Sequence, residues 1–129
     1  MASVITNVGL AVVTNRIIQA GTAPKNIGWG TGAGTAAAGD TTLFTEVLVS
    51  GSAGGTDHTV GTESRTTTTQ TNDTYTVTGT RTATGTVAVT NAGLFDAASG
   101  GTLFVKGDFS TINLVSGDSI AFTFNVKFA

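Results

Sequence analysis

Residues 119–127 read SIAFTFNVK, and Ile120, Phe122, Phe124 and Val126, continued by Phe128, occupy every second position. Successive side chains of a strand point to opposite faces, so this spacing puts five large apolar groups on one side. Thr123, Asn125 and Lys127 fall on the other. A face that apolar must be covered by a second layer, and a one-residue slip would expose all of it. Immediately upstream, Ser116-Gly117-Asp118 carries turn chemistry, TLFVKGDF (102–109) reads as a strand, and AASGG (97–101) as another turn. Short strands punctuated by glycine turns predict an antiparallel β-sandwich, jelly-roll-like or barrel-like.

Further upstream, residues 73–90 place Thr at nearly every even position from 74 to 86, with Tyr75, Val77, Arg81, Ala83 and Val87 at odd ones. This predicts one long strand region, with bulges or bends at Gly79 and Gly85. In residues 51–72 the only large apolar side chain is Val60, so residues 50–72 are expected to form a polar loop or edge segment, mobile in its first half. Residues 41–50 fit a helical turn leading into a strand, and Ile27 and Trp29 a short strand. Leu10, Val13, Ile17 and Ile18 recur at helical spacing within 6–19, with Thr6 or Asn7 as N-cap and Gly21 as stop. The expectation is a single domain over residues 1–129, mainly β with one short N-terminal helix.

Charged residues make up 11% of the 129, and there are 18 glycines, which leaves a hydroxyl-rich surface with little repulsion between molecules. Such a chain is suited to packing against partners. A net charge of −2 with six scattered basic residues offers no patch for a phosphate backbone, so no nucleic-acid partner is expected. Without cysteine there is no disulfide framework, thiolate metal site or cysteine nucleophile. The first residues, MASVITNVGLAVVTNR, lack the basic start and unbroken apolar run of a signal peptide, and no membrane partner is expected.

Gly34-TAAA-Gly39-Asp40-Thr41 comes within one residue of a phosphate-binding loop, but Asp40 stands where that loop needs Lys and would repel a phosphate. The segment reads instead as a connection in which Asp40 or Thr41 caps a turn into Leu43-Phe44, with Trp29 packing beneath it. His58 is the sole histidine, in GGTDHTVG, and is expected to be a solvated loop residue. Asp96, Asp108 and Asp118 sit in turn contexts rather than as a catalytic pair. With His58 as the only base for a Ser or Thr nucleophile and no G-x-S-x-G elbow, no enzyme activity, cofactor or metal is expected. Asn72-Asp73-Thr74 matches a glycosylation sequon, and Trp29 and Tyr75 are the amphipathic aromatics a sugar site would use. The weakly charged Thr strand suggests an edge open to a neighbouring chain; Thr74, Thr76, Thr78 and Arg81, with Leu43 and Phe44 of the connection, are the candidate subunit contacts.

The segments TNVGLAVVTNRI (6–17), IGWGTGAGTAAAGDTTLFTE (27–46) and TNAGLFDAASGGTLFVKGDFSTINLVSGDSIAFTFNVKF (90–128) together resemble small structural proteins of tailed bacteriophages. Some of these are capsid decoration or cement proteins, others tail-fibre-like. The resemblance implies a non-enzymatic virion protein that forms a small homo-oligomer, a dimer or trimer, and binds the major capsid protein on the outer capsid surface. Its alternative is a tail- or fibre-associated protein engaged in attachment or receptor and glycan binding. Neither heptads nor repeated strand motifs of a long fibre are present, which favours the capsid.

Overall fold

The chain, described here by a computed structural model over residues 2–47 and 57–128, is mainly β, with antiparallel sheets and one short helix in a sandwich-like arrangement. Its elements are β1 (Ser3–Ile5), α1 (Gly9–Ile17), β2 (Asn26–Gly30), β3 (Glu46–Val47), β4 (Thr59–Val60), β5 (Thr62–Thr66), β6 (Thr74–Thr82), β7 (Val87–Phe95), β8 (Leu103–Leu114) and β9 (Ser119–Lys127). The larger sheet runs β1-β8-β7-β2-β3, with β4 sharing one edge of β2 with β3; the smaller runs β5-β6-β9. Residues 50–56 of the expected loop lie outside the described residues.

The alternation in β9 turns its apolar side chains toward the larger sheet. Val126 is buried, while Ile120, Phe122 and Phe124 are only half-buried because β9 is the outer strand of a narrower sheet. Phe128 lies beyond the strand and is exposed. In β2 the same period of two separates two tasks. Ile27 and Trp29 are fully buried between the sheets, joining Val77, Leu94, Val105 and Val126 at one end and Val47, Val87, Val89 and Leu114 at the other. Gly28 and Gly30 face the opposite way; lacking side chains, Gly30 leaves room for the connection from Thr31 to Thr45 to lie on the back of the larger sheet, and Gly28 leaves room for Glu46, His58 and Phe95. At Gly30 a methyl group would collide with the Phe44 carbonyl.

Several expectations are corrected. The Thr-rich stretch forms two strands, β6 and β7, with Gly85 in the turn between them. Gly79 is no bulge, since the register between β6 and β9 is continuous from Thr74↔Lys127 to Thr82↔Ser119; its missing side chain lets Ile27 approach. β8 runs on to Leu114 instead of ending near Phe109. No helical turn occurs within the described part of 41–50. The helix buries Gly9 and Val12 and packs half-buried Val13 on the core, leaving Leu10, Ile17 and Ile18 exposed, so helical spacing named one core-facing residue of four. The N-cap position falls on Val8 rather than Thr6 or Asn7 and has no side-chain cap, although Thr6 Oγ accepts from the Gly9 amide at 3.0 Å. The chain reverses at Gln19 (φ 61°), two residues before Gly21.

Candidate functional site

Polar groups in the interior define how the second layer is fastened. Arg81 lies on the inward face of β6 and is completely buried. Its guanidinium donates to the carbonyls of Ile27 (2.8 Å), Val47 (3.3 Å) and Asp57 (2.8 Å) and to the Thr59 hydroxyl (3.2 Å), tying β2, β3 and β4 to the smaller sheet. The group lies over the Trp29 ring, 5.0 Å from its centre. Burial pulls its pKa down to about 10, opposed by the charges of Glu46 and Asp57.

On the back of the larger sheet, the connection is held at three points. The Asn91 side chain pairs with both backbone groups of Phe44, accepting from its N–H and donating to its carbonyl, each at 3.0 Å. Buried Lys106 donates to Asp40 (2.9 Å) and the Thr42 carbonyl (2.8 Å), with its ammonium 3.2 Å from the centre of the Phe44 ring. Asp108 accepts from the Ala36 amide at 2.6 Å and the Ala2 amide at 3.3 Å. Asp40 closes the turn by accepting from Ala37, and that bond, followed by the one from Lys106, lowers its carboxyl pKa. In the near-miss phosphate loop, then, the acid does the work of a turn cap and a counter-ion. Leu43 packs with Phe95 and Leu103, and Phe44 rather than Trp29 fills the space over Gly30, Gly32 and Gly34.

His58 overturns the expectation of a solvated loop residue. Its side chain is fully buried and stacked on Phe95 at 4.0 Å between ring centres, with Nδ1 2.8 Å from the Ala97 carbonyl and Nε2 2.7 Å from Glu46. Glu46 and Ala97 are 12 and 39 residues away in sequence, so nothing local could announce them. Among the described residues no group of three or more His, Asp or Glu converges as metal ligands would. Asp96 and Asp118 accept from Thr102 and Val115 amides within their turns, whereas Asp108, placed in a turn by sequence, is mid-strand.

Of the candidate subunit contacts, Thr74, Thr76, Arg81 and Leu43 are buried within the chain, Phe44 is half-buried and Thr78 is exposed. Thr74 and Thr76 form a hydroxyl ladder, to Thr68 (2.6 Å) and to Thr66 (2.7 Å) and Asn125 (2.9 Å) respectively. Trp29 is enclosed, and half-buried Tyr75 donates to the Pro24 carbonyl at 3.1 Å.

The open surface lies elsewhere. Between β9 and the β1–β8 edge of the larger sheet is a cleft of about 380 Å³, lined by Ile5, Val105, Phe109, Phe122 and Phe124, with Lys127 among its lining residues. β9 hydrogen-bonds to β6 on one side and to no described strand on the other. Its nine residues contain no Pro, and Lys127 is its only charge. Among the described residues no helix is long and apolar enough to cross a membrane. The architecture therefore defines a mainly antiparallel β-sandwich-like protein with one short helix. No protein-family model, curated protein or solved structure matches the chain.

Proposed function

We propose that this is a non-enzymatic structural protein of a virion, a decoration or cement protein that self-associates and binds the major capsid protein on the outer surface of the shell. The observation that supports it best is the pairing of a β9 edge that meets no described strand, and whose one charge is Lys127, with the aromatic cleft beside it. Edge strands of proteins that act alone are normally protected by Pro, charge, a bulge or a covering segment. Here an extended segment of a neighbouring subunit can add to β9 while its alternate side chains enter the cleft over Phe109, Phe122 and Phe124. A ligand that binds the assembled shell and not its separated subunits stabilises the shell by mass action.

Antibody labelling of purified virions tests the assignment. Signal distributed over the head is expected, and signal confined to the tail would replace it with the tail-associated reading. Virions carrying the protein are expected to retain DNA at higher temperature than virions lacking it; equal release refutes a stabilising role.

A further inference from the structure

We propose that His58 and Glu46 form a proton-held latch that fastens the corner made by β3 and β4, and that loss of the shared proton as pH rises releases this corner from the edge of β2. This holds for the isolated chain, whatever it docks on.

The geometry counts the protons. Both ring nitrogens of His58 face acceptors, the Ala97 carbonyl at Nδ1 and the Glu46 carboxylate at Nε2. A neutral imidazole has one N–H, so it can satisfy only one of them. The arrangement is complete when His58 carries both N–H protons opposite an ionised Glu46, or when a protonated Glu46 donates to Nε2. Either way the pair holds one proton beyond a neutral ring and a free carboxylate. When that proton leaves for solvent, one lone pair on the ring is set against an oxygen lone pair at under 3 Å, with the ring itself shielded from water and the Glu46 side chain 15% exposed. A buried contact of that kind is unfavourable until the groups part.

Parting is directed by what the latch holds. Glu46 belongs to β3 and His58 immediately precedes β4, and both strands pair with the same edge of β2 through Trp29↔Val47, Gly30↔Glu46, Ile27↔Thr59 and Asn26↔Val60. Each has only two residues, so neither has a ladder of its own to resist opening. Gly28 makes the seat: a methyl there would lie 2.9 Å from Glu46 Oε1 and 3.1 Å from the His58 ring. The other charges facing the pair are Arg81 from β6, whose guanidinium feels Glu46 and Asp57, Asp57 itself beside His58, and Asp96 next to Ala97. Arg81 stays charged through the neutral range, so the proton that changes is the one shared by His58 and Glu46.

Because the chain has one histidine, its ring C–H resonance in NMR is unambiguous. On titration of the full chain from about pH 5 to 9, loss of the shared proton is expected to register as a single step in that resonance. Amide protection at Val47 and Thr59, corrected for intrinsic exchange, is expected to fall about tenfold or more over the same step, while Tyr75 and Val77 in β6 hold. In Glu46→Gln, the amide donates to Nε2 of a neutral ring that keeps its Nδ1–H on Ala97, so the corner is expected to stay protected throughout. Three results overturn the proposal: a His58 resonance that does not titrate, protection indifferent to its titration, or a Glu46→Gln protein whose corner opens as the natural chain's does. Should Glu46→Gln fail to fold, the first two measurements on the natural chain decide alone.

Discussion

The guanidinium of Arg81 lies 5.0 Å from the centre of the Trp29 ring, a full charge enclosed beside the largest apolar side chain of the core. Its Nε is the buried side-chain donor left without an acceptor among the described residues, so the charge is balanced by the ring, four acceptors and the nearby carboxylates. One side chain thereby joins three strands of one sheet to the middle strand of the other.

Truncating it exposes how much depends on that junction. Arg81→Ala is expected to cost about 3–5 kcal/mol in chemical denaturation, because the buried Ile27 and Val47 carbonyls lose their donor and the core gains a cavity. Arg81→Lys keeps the charge without the planar fork and cannot reach all four acceptors; it is expected to recover less than half of the loss. Wild-type stability in Arg81→Lys would show that charge, not the fork, is what the site needs.

The side chain of Asn91 pairs with Phe44 as a strand backbone would, replacing a ladder that the irregular connection cannot form. Asn91→Ala is expected to lose about 1–2 kcal/mol, the cost of leaving the Phe44 amide without an acceptor while its carbonyl keeps the Gly32 amide as donor. Asn91→Asp keeps the acceptor for the Phe44 N–H but sets a carboxylate against the Phe44 carbonyl, and is expected to be at least as destabilised above pH 5 and to recover on acidification. Equal stability of Asn91→Asp and the natural chain at neutral pH would contradict the assigned pairing.

The parts of the fold that could be read directly were those whose signal is local. The β9 alternation, the Ser116–Asp118 turn and the Ile27–Trp29 strand follow from neighbours in sequence. What escaped reading depends on residues brought together from afar. His58 looked solvated because its glycine-rich surroundings hide partners at 46 and 97. Arg81 looked like a subunit contact on an exposed edge because a lone charge in a Thr run gives no hint that β6 is a central strand. Even the Thr periodicity misled about exposure: even positions do leave the core, but Thr74 and Thr76 are then covered by hydroxyls of other polar side chains. The glycines of WGTGAG were recognisable as backbone joints, whereas the carbonyl and ring of Phe44 that need their space were not.

That space separates two glycines that look alike in sequence. At Gly30 an added methyl meets the Phe44 carbonyl and the Asn91 side chain, both part of the same buried pairing, so relaxation must move the connection itself. At Gly39 nothing lies within 4 Å of the added carbon. Gly30→Ala is expected to cost at least about 2 kcal/mol by overpacking. Gly39→Ala is expected to stay within about 0.5 kcal/mol of the natural chain, or to gain slightly through lost freedom of the unfolded state. Thermal denaturation of both distinguishes them, and similar melting temperatures would mean that the connection does not rest on Gly30.

Acid should unfasten the connection and the Thr-rich turn together. Asp40, Asp73 and Asp108 all have carboxyl pKa values below the ordinary 3.8, chiefly because backbone amides donate to them: Ala37 to Asp40, Gln70 with Thr68 and Thr69 to Asp73, and Ala36 with Ala2 to Asp108. A carboxyl whose pKa is lower folded than unfolded stabilises the fold fully above its unfolded value. That contribution is lost as pH falls through the folded value. The melting temperature is therefore expected to be level with respect to these groups above about pH 5 and to fall steadily below about pH 4. Asp73→Asn, which retains one acceptor oxygen for three amides, is expected to melt lower at pH 7. The gap should narrow toward about pH 2, because Asp73 of the unfolded chain is protonated there before the folded carboxylate is. A gap that stays constant across this range would show that the turn draws no stability from the Asp73 charge.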